Sequence, residues 1–288
     1  MNNQHPPHVH APGYRAIRWN MDWITRPLFG FALAGIAILA LSYAPEYFAA
    51  LAVAITIPAA YEWHRMVGQG QDCRIEAAAT AIIVALSVVL LVTTHMAWPA
   101  LLLVAAGALL LAFLALRKGQ SLLWQALGVV YLGVPVLALV SLRIFPPRGA
   151  LVIIGLLLIV WATDTGALIF GNLIGGPRMA PKLSPSKTWA GTIGGSVTAA
   201  IVFGLYILLL GGSLGIAALF AFVFSATAHA GDLFESFVKR RFGLKNSGSL
   251  IPGHGGMLDR MDSTLAASLA LAILVFLFHF NPLFGIAT

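Results

Sequence analysis

"GALVIIGLLLIVWATDTGALIFG", residues 149–171, holds a single ionisable side chain, Asp164. A helix needs about 20 apolar residues to cross a hydrocarbon core. This run is long enough, and it is continuous rather than alternating, so it reads as a membrane helix and not as a barrel strand. The whole chain is of the same kind: 59% hydrophobic, 9% charged, with a mean hydropathy of +0.90. A soluble domain is roughly 45–50% apolar and about 25% charged. The sequence therefore predicts an all-α polytopic membrane protein.

Working outward with the same ruler predicts nine spans, near 28–44, 47–63, 75–94, 98–116, 121–142, 149–171, 189–210, 213–230 and 263–280. Pro58 interrupts the second and Glu62 closes it. Residues 1–27 are polar and proline-bearing, and read as a disordered cytoplasmic tail rather than a metal site built on His5, His8 and His10. The run at 27–44 has the look of a signal segment, but the long leader and many later spans favour a retained helix. Two groups of transmembrane helices follow, over 28–148 and 149–288. Alternating the loops sends 15 of the 17 Lys and Arg residues to one side, leaving Arg143 and Arg148 on the other. That asymmetry places the N-terminus in the cytoplasm and, with nine spans, the C-terminus outside.

The net charge of +7 fits basic cytoplasmic loops facing anionic lipid, and no nucleic-acid partner is expected. A lone cysteine, Cys73, excludes an intramolecular disulfide. There is no fixed-period repeat and no Walker or dinucleotide-binding glycine loop. The first half reads as plain helical packing, and the second half carries the unusual residues.

Those residues fall in three polar clusters, all on the expected cytoplasmic side: from Trp161, from His229, and "IPGHGGMLDRMDS" at 251–263. Of ten acids in the chain, five are Asp164, Asp232, Glu235, Asp259 and Asp262. Asp232 and Glu235 stand three apart, as do Asp259 and Asp262, so each pair shares a helix face. Clustered carboxylates need a cation, a shared proton or basic partners. Helix capping with a salt bridge to Arg260 would account for Asp259 and Asp262 alone, but not for both pairs at one membrane face. Hard oxygen donors suit Mg²⁺, and His and Cys are too sparse for zinc. Lys182, Lys187, Lys239, Arg240, Arg241, Lys245 and Arg260 flank the acids. Ser184, Ser186, Lys187 and Thr188 precede a helix start, a favourable place for phosphate. Gly255 and Gly256 allow close backbone approach to a ligand. Together these point to phosphoryl or nucleotidyl transfer at the membrane surface.

"SFVKRRFGLKNSGSLIPGHGGMLDRMDS", residues 236–263, resembles the signature of the phosphatidate cytidylyltransferase (CDP-diacylglycerol synthase) family, through Ser236, Lys239, Arg240, Lys245, His254, Gly255, Gly256, Asp259, Arg260 and Asp262. "DTGALIFG", "SPSKTWAGTIGG" and "GDLFES" resemble further family segments. Asn246 stands where the family usually has Asp, and Ala190 where it often has Glu; Asn246 is read as peripheral. The resemblance implies that CTP and phosphatidate give CDP-diacylglycerol and pyrophosphate, with Mg²⁺, room for a second cation such as K⁺, and a homodimer in a bacterial cytoplasmic membrane. It implies metal ligands at Asp232 and Asp259, with Asp262 and Glu235 as second choices. Lys187, Lys239 and Arg260 would clamp phosphates, Ser184 and Ser186 would orient them, and His254 would donate a proton or hydrogen bond. Rival readings are a cation-coupled transporter, which predicts acids facing across broken helices, and a transferase acting on another lipid.

Overall fold

The computed structural model describes residues 32, 34–248, 255–281 and 285–286. Of the expected 28–44 span the described part is helical over 34–42, and the 1–27 tail lies outside the described residues. Eight helices follow: α1 (Pro45–Val67), α2 (Arg74–Thr94), α3 (Ala97–Lys118), α4 (Leu122–Ile144), α5 (Gly149–Leu173), α6 (Trp189–Leu209), α7 (Leu214–Arg241) and α8 (Leu258–Leu277). Two short strands, β1 (Arg178–Ala180) and β2 (Ser184–Thr188), form an antiparallel hairpin between α5 and α6 that the sequence reading did not foresee. A second small pair, β3 (Phe280–Asn281) and β4 (Gly285–Ile286), follows α8.

Among the described residues, seven helices, α2 to α8, are long and apolar enough to cross a membrane. The chain is a polytopic helical membrane protein. Helix α1 is not among the seven, and its last turns carry Glu62, His64 and Arg65. Pro58 does not interrupt it: the helix runs through that position, as α4 runs through Pro135. An interior proline removes one backbone bond, and neighbouring helices can supply a substitute. Separately, the Ser268 hydroxyl of α8 donates to the carbonyl of Pro135 itself at 3.4 Å, tying α8 to α4.

Two apolar cores hold the bundle. One joins Trp63, Met66, Val84, Leu91, Val104, Leu132 and Val136. The other joins Ile153, Leu156, Phe203, Phe224 and Leu271. Helices α4 and α8 contribute to both, α8 through Leu258 and Leu265 on one side and Leu271 and Val275 on the other. Between α5 and α6 the packing is backbone on backbone, since a Cβ on Gly195 would lie 2.6 Å from the Thr163 carbonyl oxygen. Outward-facing Leu102, Leu109, Ile201 and Leu205 are exposed, as hydrocarbon contact requires.

Polar contacts sort the two ends of the bundle. At one end Arg143 donates to the carbonyls of Leu41 and Tyr43. At the other, Lys118 reaches Glu76 and the Asp72 carbonyl, Glu62 reaches the start of α8, and Arg240 reaches the hairpin at the Leu183 carbonyl. This second end carries the site.

Candidate active site

Helix α7 continues eleven residues past the expected end of its span, to Arg241, before Gly243 turns the chain with φ +70°. The apolar run ends near 230, but i,i+4 pairing carries the helix on: Lys239 Nζ lies 3.3 Å from Glu235 Oε1, and the Ser236 hydroxyl lies 3.4 Å from Asp232 Oδ1. Asp232, Glu235, Ser236 and Lys239 thus sit on a continuous helix rather than at a helix end. Helix α8 also begins earlier than the expected span, so Asp259 falls in its first turn and Asp262 one turn on.

Lys239 bridges α7 and α8, with Nζ 2.6 Å from Asp259 Oδ1. Lys187, from β2, pairs with Asp232. Glu235 is fully buried, and its carboxyl faces those of Asp259 and Asp262. Among the described residues neither Glu235 oxygen has a hydrogen-bond donor, and Lys239 is its ion-pair partner. Two like charges about 4 Å apart repel by about 4 kcal/mol at an effective dielectric constant of about 20. Lys239 pairs with two of these acids, Glu235 and Asp259. The lysines expected to clamp phosphates pair with carboxylates in this structure, because buried charge must be compensated where it lies.

A cavity of about 450 Å³ opens beside these pairs, lined by Ser184, Ser186, Lys187, Asp232, Ser236 and Lys239, with Leu183, Pro185, Arg240, Lys245 and Asn246 completing the wall. Most of the expected phosphate-binding residues are gathered here. Thr188 stands back from it: its hydroxyl accepts the Gly191 amide at 3.1 Å and caps α6. Asp262 is 6% exposed and accepts the amide of Ser263. Asp164 is exposed on α5 and acts electrostatically on this cluster together with Arg260, Asp232 and Lys187. His254 lies outside the described residues.

The model of the cytidylyltransferase family matches residues 24–278. The chain belongs to the cytidylyltransferase family. It is 43% identical over 169 residues to the phosphatidate cytidylyltransferase of Brucella suis, covering 58% of this chain and 61% of that protein. It is 37% identical over 179 residues to the protein of that name in Staphylococcus haemolyticus, covering 60% and 68%. With the Helicobacter pylori protein of that name it shares 42% over 154 residues, covering 52% and 56%. The matched stretch thus spans about three fifths of the Brucella relative's length.

In this chain the glycine pair packs against the protein's own side chains. Gly255 has φ +83° and packs on Asp259, whose Oδ2 accepts the Gly256 amide at 2.9 Å and the Ser247 amide at 3.4 Å. A Cβ on Gly256 would collide with the Ser247 hydroxyl and the Glu62 carboxylate. The close approach expected toward a ligand is made toward these two side chains. Glu62 itself escaped the sequence reading as a site residue. It is 2% exposed and accepts the amides of Met257 at 3.0 Å and Leu258 at 2.8 Å, and the Ser247 hydroxyl at 3.2 Å. Its one visible signal is a carboxylate at the end of an apolar run.

Among the described residues, no three His, Cys, Asp or Glu side chains form a ready-made metal cage. Mg²⁺ asks for less, since it keeps waters and takes one or two carboxylates plus substrate phosphates. The acids here fit that demand: Asp232, Glu235, Asp259 and Asp262 outnumber the two lysines they hold, and the buried Glu235 oxygens lack a donor among the described residues.

Proposed function

We propose that this chain is a phosphatidate cytidylyltransferase, converting CTP and phosphatidate to CDP-diacylglycerol and pyrophosphate. The observation that carries the reading is the cavity in which Lys187, Lys239, Arg240 and two serines stand beside Asp232 and Ser236. The relatives' names support the same reading. Asp232 lines the cavity, and Lys239 links it to Glu235 and Asp259; these acids stand on unbroken helices α7 and α8, not across broken ones, which favours the enzyme over a transporter.

The chemistry needs little from a base. A phosphate monoester has its second pKa near 6, so phosphatidate arrives as a nucleophile at neutral pH. Its oxygen attacks the α-phosphorus of CTP; the new P–O bond forms as the α–β bridging P–O bond breaks, and pyrophosphate leaves with the electron pair. The barrier is charge repulsion and alignment. Lys187, Lys239 and Arg240 offset the triphosphate charge, the lysines exchanging a carboxylate partner for a phosphate one as nucleotide enters. Ser184 and Ser186 orient phosphate oxygens, Arg260 supplies a planar fork, and His254 donates a hydrogen bond. Asp232 and Asp259, with Asp262 and Glu235 behind them, would hold Mg²⁺, and K⁺ is the candidate second cation. Bound Mg²⁺ supplies neutralisation of the triphosphate and of developing charge.

The wider reading follows. Counting α1 and the 28–44 segment as spans beside the seven, nine spans put the N-terminus and the site in the cytoplasm and the C-terminus outside, in a bacterial cytoplasmic membrane, with a homodimer as the working unit. CTP enters from the cytoplasm, and the acyl chains of phosphatidate enter laterally between helices. Purified protein given labelled CTP, phosphatidate and Mg²⁺ is expected to form a CDP-lipid, at a rate nearly flat above pH 7. Product with a different lipid phosphate and none with phosphatidate would overturn the substrate assignment.

A further inference from the structure

Helix α8 starts without a side-chain cap from its own N-cap residue, Met257. The first amides of a helix have no intrahelical partner and must find one elsewhere. Here the acceptor comes from about 195 residues away: Glu62 Oε1 takes the Met257 amide at 3.0 Å and Glu62 Oε2 takes the Leu258 amide at 2.8 Å. The Ser247 hydroxyl adds a third contact at 3.2 Å, and the Ser247 amide reaches Asp259 Oδ2. Gly256 donates to the same Asp259 oxygen. Three successive amides, at 256, 257 and 258, are thus claimed by two carboxylates, Glu62 from α1 and Asp259 from α8 itself.

The fit is close on every side. A Cβ on Gly248 would lie 2.5 Å from Glu62 Oε1 and 2.8 Å from its Cδ, and one on Gly256 would also strike the Glu62 carboxylate. The neighbouring residues fix the helix that carries it. Trp63 Nε1 donates to the Trp124 carbonyl at 3.0 Å, and His64 bridges Gln125 and Thr80 at 2.5 and 2.7 Å. Three consecutive residues of α1 therefore anchor to three different places, and Glu62 is the one aimed at the acid helix.

We infer that Glu62 is a positioning residue for the acid site: it occupies the N-terminus of α8, and so sets where Asp259 and Asp262 stand relative to Asp232 and Glu235. It also fills the helix end that would otherwise attract a phosphate, leaving nucleotide to the cavity lined by Ser184, Lys187 and Lys239. This inference rests on the cytidylyltransferase reading. Displacement of an active group by about 1 Å costs about a hundredfold, and loss of a residue that orients ligating groups costs about ten- to a hundredfold.

The test uses the full-length protein in mixed vesicles with phosphatidate. Glu62→Gln keeps the shape but loses the charge and one of two acceptor oxygens. Gly248→Ala pushes on the carboxylate without altering it, from a position outside the site. Both are expected to lower kcat about ten- to a hundredfold while KM for CTP stays within about threefold. Amide hydrogen exchange should rise over residues 255–261 and remain as in wild type over α2 to α6. Glu46→Gln, at the exposed start of α1, should leave both readings unchanged. Wild-type exchange at 255–261 with kcat within twofold in both variants overturns the inference, as does exchange raised evenly through the bundle. A wild-type protein that makes no CDP-lipid overturns the functional reading, and the exchange arm alone then decides whether Glu62 holds the loop.

Discussion

Two buried glutamates at the same end of the bundle meet different company. Glu76 of α2 and Glu235 of α7 are both fully buried, and each has a lysine partner, Lys118 at 2.7 Å and Lys239 at 3.3 Å. Lys118 has Glu76 as its ion-pair partner, and the pair ties α2 to α3. Lys239 is shared: Asp259 holds it at 2.6 Å, and Asp262 stands beside the same glutamate. The Glu76 oxygens, like those of Glu235, have no hydrogen-bond donor among the described residues, but the Glu76–Lys118 pair balances one charge with one charge. A cluster in which four acids share Lys187, Lys239 and the neighbouring Arg260, beside a cavity of about 450 Å³ lined with serine and basic residues, is a place where a cation would be favourable. Neither burial nor an ion pair marks a site; unbalanced charge next to open space does.

The comparison breaks most visibly at the acids. Asp259→Asn and Asp232→Asn should each lower CDP-lipid formation by about a thousandfold or more, with membrane-inserted protein unchanged. Turnover within tenfold of wild type at saturating Mg²⁺ would remove these residues from the ligand set. Gly256→Val should come next, with a loss of about a hundredfold or more, because its side chain would occupy the space of Glu62 and Ser247. Full activity at matched protein levels would show that the α8 cap is dispensable.

Arg260→Lys should cost about tenfold, since an ammonium does not replace a planar fork; unchanged kcat/KM would reduce its role to charge alone. Glu76→Gln sharpens the comparison from the other side. It should leave kcat within about twofold and lower stability by about 1–2 kcal/mol, less than a fully buried pair because Lys118 is 34% exposed. A thermal melt in detergent and the CDP-lipid assay check both halves of that statement. The smallest effect is expected for Asn246→Asp, within about threefold; it lines the cavity wall, and a large rise in rate would reveal a ligand position that this chain has lost.

Composition and apolar length made the spans legible, with most ends within a few residues, because hydrocarbon thickness is a strict ruler. Acids and bases of the site were legible because charge is scarce in such a chain, and spacing of three put them on shared faces. Three things were not. Helix α7 outran its apolar run, because side-chain pairing along Asp232–Lys239 sustains a helix that hydropathy cannot see. The β1–β2 hairpin is short, polar and shaped by its turn, leaving no apolar alternation to read. Glu62 looked like the polar end of a poor span, and its partners are amides, which carry no residue identity and lie about 195 positions away. The same blindness hid the lysine pairing: sequence shows that Lys187 and Lys239 are near acids, but only the fold shows which carboxylates they hold.

The most direct measurement is a side-by-side CDP-lipid assay of wild type, Glu76→Gln and Asp259→Asn, at matched membrane-inserted protein with labelled CTP, phosphatidate and saturating Mg²⁺. The charge-surplus account predicts equal product from wild type and Glu76→Gln to within about twofold, and about a thousandfold less from Asp259→Asn. Comparable losses in the two variants, or an Asp259→Asn protein that turns over within tenfold of wild type, would contradict it.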